Sequence, residues 1–243
     1  MTTTILTEAA FIALIPAGLL LFFVLDRYAA PKVPVSIFEE YKVLVALIIG
    51  IPAGLPVAII FEFYANSLVG GDLPSALIWF VMFILVASLG RMILLRFKLF
   101  AGNDKRSPNS PFYVMAFGCG TAVTILLAEG NYYLGANSDI PTALLLCMLS
   151  INLALVEGWS GLRFAAGRLS GEFPLSVLLV EAATLAAIAP LYLGFGLYAA
   201  IPMLIAMIVL IDLMMREELI SLRPLIVPPK PEGEEKRYGR TSG

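Results

Sequence analysis

The sequence predicts an all-α protein built as a polytopic transmembrane helical bundle of about seven spans, and three observations predict it. Hydrophobic residues make up 60% of the 243 residues and charged residues 14%, against a soluble average of roughly 45 to 50% apolar and about 25% charged. Apolar runs long enough to cross a hydrocarbon layer of about 30 Å recur along almost the whole chain. Lysine and arginine fall in alternate connections, which is the imprint of the positive-inside rule.

Dividing the apolar runs at their polar interruptions places spans at 5–27, 42–64, 74–97, 111–134, 141–159, 174–193 and 196–215. The first follows MTTTILTEAAF, which has no basic n-region, so it is expected to stay as a span rather than be cleaved as a signal peptide. The second carries IPAGL at Ile51 to Leu55, an echo of Ile15 to Leu19 in the first. A mid-span proline removes a backbone hydrogen bond and bends a helix, and the neighbouring glycine permits close packing. The third and fifth spans open on DLPS (Asp72 to Ser75) and DIPT (Asp139 to Thr142), where aspartate caps a helix start and proline is tolerated in the first turn. The fourth ends in AEGNYYLGA. Only LGFG at Leu193 to Gly196, after Pro190, separates the last two. A single helix over Phe173 to Met215 would reach about 60 Å, twice the membrane, so two spans are expected. The tail PLIVPPKPEGEEKRYGRTSG is rich in proline and charge and reads as disordered. The expected organisation is therefore one bundle domain over 1–223 and a disordered cytoplasmic tail over 224–243.

Orientation follows from the basic residues. Arg27, Lys32 and Lys42 border the first connection; Arg91, Arg96, Lys98, Lys105 and Arg106 the third; Arg163 and Arg168 lie in the fifth, and six more follow from Arg216. The second, fourth and sixth connections have none. The N-terminus is then outside and the C-terminus cytoplasmic, and the expected location is integral to the cell (plasma) membrane.

An internal echo links two hairpins. FEFYANSLVGGDLPSAL (Phe61 to Leu77) aligns with AEGNYYLGANSDIPTAL (Ala128 to Leu144) at an offset of 67, matching Glu62 with Glu129 and Asp72 with Asp139. Arg96-Phe97 then meets Arg163-Phe164 without a gap. Capping explains each DLPS or DIPT by itself; the equal spacing back to a glutamate and forward to Arg-Phe favours a tandem duplication of spans 2-3 and 4-5.

Several chemistries drop out. With no histidine and a net charge of −2, histidine-based metal motifs and triads are excluded and a nucleic-acid partner is not expected. Cys119 and Cys147 both lie in apolar runs without metal or redox spacing and read as small core residues. No cofactor and no metal are expected. Phe38-Glu39-Glu40-Tyr41-Lys42 resembles the paired glutamates followed by a basic residue of glutamic intramembrane proteases of the CAAX-processing type. The basic residue comes too early for one full turn, and the histidine those enzymes use is absent, so no catalytic role is carried over. Acids at a solvated helix start account for the segment.

Two groups of ionisable residues remain. Arg91 is expected about 25 Å along its span and Glu181 about 10 Å along one running the other way, so Arg91, Glu157, Glu181 and Asp212, with Asn152 slightly deeper, are candidates for one inner polar cluster. It reads either as a proton or cation relay or as an ion-pair network that locks the bundle. Glu62, Asp72, Glu129 and Asp139 lie on the outer face, where no basic residue falls; they read as an acidic mouth that concentrates cations or as caps and leftovers of the charge asymmetry. The function expected is movement or gating of a small solute or cation. The alternative is a non-catalytic membrane subunit or scaffold, and a membrane-embedded enzyme comes third. Expected partners are the lipid bilayer, a small solute or cation, and a membrane protein partner or second copy of the chain.

Overall fold

The computed structural model describes residues 2–29, 40–101, 109–136, 139–171, 174–193 and 197–226. These form α1 (Thr2–Ala29), α2 (Glu40–Ala53), α3 (Leu55–Val69), α4 (Leu73–Leu94), the single turn α5 (Lys98–Ala101), α6 (Ser110–Ala136), α7 (Ile140–Ser170), α8 (Leu175–Tyr192) and α9 (Leu197–Ile226), with no strand among the described residues. The protein is thus an all-helical bundle. The expected tail at 224–243 and the LGFG junction fall largely outside the described residues.

Five helices (within α1, α4, α6, α7 and α8) are long and apolar enough to cross a membrane, and the bent pair α2 and α3 makes a sixth when counted as one span. That is five or six of the expected seven among the described residues; the span expected at 196–215 starts outside the described residues and continues into α9.

The expected continuous second span is broken instead, with α2 and α3 meeting at 45°. The cause is local. Pro52 and Pro56 flank Gly54, and Pro56 has no N–H to offer the carbonyl of Pro52. The Thr124 hydroxyl of α6 donates to the Ile51 carbonyl beside the break, while the Gly54 N–H donates to the Gly50 carbonyl at 2.8 Å. The same IPAGL in α1 causes no break, since α1 runs through Pro16, where no second proline follows four residues later.

α6 is the axial helix. It is almost entirely buried, whereas α1 and α4 expose most of their apolar surface, as expected of faces turned to lipid. α1, α2 and α7 pack directly on α6, α3 pairs with α4, and α8 packs against α3, α4, α7 and α9. The tight fit to α6 rests on small residues. A Cβ at Gly50 or Gly120 would overlap the carbonyls of Phe117 or Leu47, and at Gly118 or Gly161 those of Glu157 or Val114. Without a hydrophobic driving force between helices in lipid, such backbone approach supplies dispersion contact. The Ser150 hydroxyl adds a bond to the Ile12 carbonyl at 2.6 Å, tying α7 to α1.

Candidate functional site

The two groups of polar residues lie at opposite ends of the bundle, and different helices position them. At the end expected to face inward, Arg91 stands in the last turn of α4. Its guanidinium donates through one terminal nitrogen to Glu181 of α8 and through the other to Glu157 of α7. All three side chains are fully buried. Glu157 is placed by the close approach of α7 to Gly118 of α6 at that very residue, and Glu181 by its position two turns into α8. One guanidinium balances one carboxylate, so with both glutamates ionised the group carries one excess negative charge in the buried core. Among the described residues the second oxygen of Glu157 has no hydrogen-bond partner, nor do the polar side-chain atoms of Ser88 on α4 and Trp159 on α7.

Asn152 is also fully buried, and among the described residues neither of its side-chain polar atoms has a partner, the triad included. Asp212 does not join it either. It pairs with Arg216 one turn along α9, at 2.7 Å and half-exposed, because an i,i+4 partner on its own helix is within reach without crossing the bundle. Sequence reasoning missed a neighbouring bridge: Arg163 of α7 binds Glu218 of α9 at 3.2 Å.

At the opposite end, expected to face outward, the four acids divide. Asp72 and Asp139 are helix caps, accepting from the backbone N–H of Ser75 at 3.3 Å and Thr142 at 2.9 Å. The hydroxyls and then the backbone N–H groups of Ser75 and Thr142 hold the two carboxyls below the usual aspartate range. Both are exposed. Glu62 of α3 and Glu129 of α6, by contrast, face one pocket of about 190 Å³ shared with Asn66, Tyr132, Tyr133 and Tyr192. Glu62 is exposed and Glu129 buried. The Tyr192 hydroxyl donates to Glu129 at 2.8 Å, and its ring lies 6.3 Å from that of Tyr133 and 6.1 Å from that of Phe61. A larger apolar recess of about 530 Å³ opens beside the α2–α3 break, and Glu62 and Ala128 line both spaces.

Tyr192 is the residue the sequence reading missed. Its position in the last turn of α8, beside Pro190 and level with the outer ends of α3 and α6, was the available signal. Among the described residues no group of three or more histidine, cysteine, aspartate or glutamate side chains could hold a metal ion. No family model, curated protein or solved structure matches the chain.

Proposed function

We propose that this multi-pass membrane protein moves or gates a small solute or cation, which enters at the outer pocket and is passed toward the Arg91–Glu157–Glu181 group. The observation that carries this reading is the pocket itself: a buried carboxylate and an exposed one at the end of a broken span. Transporter sites favour interrupted helices, whose freed backbone groups line cavities. The excess carboxylate of the inner group supplies a place for a proton or cation to be held. On this reading the acidic face is the outside of the cell membrane and the basic tail its cytoplasmic side.

Flux in proteoliposomes tests the reading. Glu181→Gln should abolish pH- or ion-dependent flux while leaving the protein folded, since Arg91 and Glu157 remain as a balanced pair; unchanged flux would remove Glu181 from the mechanism. A second reading, a non-catalytic subunit or scaffold, draws on the saturation of Arg91 by two carboxylates from two other helices, which staples α4, α7 and α8. It requires the purified protein to show no flux and to co-purify with a defined membrane partner.

A further inference from the structure

We infer that the outer pocket is a recognition site for a small organic ammonium cation, a quaternary or alkyl amine headgroup. The inference rests on the transport reading for its context but names the ligand class by the chemistry of the pocket walls. α3 contributes Glu62 and Asn66, four residues apart and so on one face; α6 contributes Glu129, Tyr132 and Tyr133, spaced to share another. α8 closes the pocket with Tyr192, which fixes one oxygen of Glu129.

Three features separate an organic cation from other occupants. The charged walls are both carboxylates and no basic residue lines the pocket, so an anion would be repelled. A hard metal ion favours several converging charged oxygen ligands; two carboxylates line the pocket, and no three histidine, cysteine, aspartate or glutamate side chains converge among the described residues. The remaining wall is three tyrosines together with small apolar side chains such as Ala65 and Leu191. Tyrosine rings attract a weakly hydrated cation through their negative faces, most strongly where water is excluded, and alkyl groups on the nitrogen are received by the apolar wall. Tyr132 is 65% exposed, at the mouth; Tyr133 and Tyr192 lie deeper. A volume of about 190 Å³ accommodates an ammonium headgroup with its methyl groups. The apolar recess that shares Glu62 and Ala128 gives a longer alkyl substituent a place to lie.

Calorimetric titration of the purified full chain in detergent with tetramethylammonium and choline tests this, with 3,3-dimethylbutanol, the uncharged shape-mimic of choline, alongside. Tetramethylammonium and choline should bind and the alcohol should bind far more weakly. Tyr132→Ala, at the exposed mouth, should weaken choline about two- to fivefold, the scale of one exposed cation–π contact, and Glu129→Gln at least as much. Glu62→Gln, at an exposed position, should weaken it with no change in thermal unfolding. The assignment is overturned if neither ammonium ion binds, if the alcohol equals choline, if sodium displaces choline at equal concentration, or if Tyr132→Ala and Glu62→Gln both leave binding unchanged. Flux of an inorganic cation without ammonium binding sinks this inference and leaves the transport reading standing; ammonium binding without any flux does the reverse.

Discussion

At the scale of single residues, the partners of the inner triad are not equivalent. Removing Arg91 leaves two carboxylates facing each other in the core, whereas removing one carboxylate leaves a neutral pair. Arg91→Leu should therefore cost about 3–5 kcal/mol, the usual penalty for stranding a buried charge, and Glu181→Gln much less; thermal unfolding in detergent compares them directly. Equal losses would mean that a stranded charge is not what destabilises the Arg91 variant. The outer caps behave differently because they are exposed. The folded-state carboxyls of Asp72 and Asp139 lie below the ordinary value of 3.8. Their stabilisation is thus complete above about pH 3.8 and is lost as pH falls through the lower folded value. Asp139→Ala should melt at a lower temperature than the parent near neutral pH, and the difference should vanish in acid. A difference independent of pH would assign the effect to something other than the cap.

At the scale of helices, α6 owes its axial place to glycine more than to apolarity, since α4 is more apolar and lies at the surface. Gly118 and Gly161 bring α6 and α7 into backbone contact, and Gly50 and Gly120 do so for α2 and α6. Gly118→Ala should then push α7 away and cost on the order of 1–3 kcal/mol, as overpacking does. It should also disturb Glu157, whose carbonyl the added methyl would strike. Gly18, on the exposed side of α1 with nothing within 4 Å of an added Cβ, is the control: Gly18→Ala should be neutral or slightly stabilising through helix propensity. Chemical unfolding of both variants decides the matter, and equal behaviour would mean that the glycines are not what sets the helix spacing.

At the scale of the whole molecule, what was legible in the sequence is what is decided locally. Composition identifies a membrane bundle, and Asp-x-Pro helix starts announce α4 and α7 because a cap needs only its own turn. Depth along a helix was enough to bring Arg91, Glu157 and Glu181 to one level. The direction in which a side chain points around its helix was not available. That is why Asp212, at a similar depth, pairs on its own helix, and why the aligned Glu62 and Glu129 differ, one exposed and one buried against Tyr192. The proline of IPAGL announced a bend in the second span, but not a full break at Gly54, where the neighbouring carbonyl is satisfied from α6. The orientation of the bundle is a matter of charge asymmetry alone, and it is open to direct measurement. In a background without Cys119 and Cys147, single cysteines at Ser138 and Asn103 would sit in an outer and an inner connection respectively. An impermeant maleimide applied to intact cells should label Ser138→Cys at once and Asn103→Cys only after the membrane is opened. The acidic pocket shares its end of the bundle with the connection at Ser138, because Glu129 and Tyr132 precede that connection on α6. Labelling of both positions from the same side would overturn the topology. Labelling of Asn103→Cys alone from outside would invert it, and the pocket would then draw its cation from the cytoplasm.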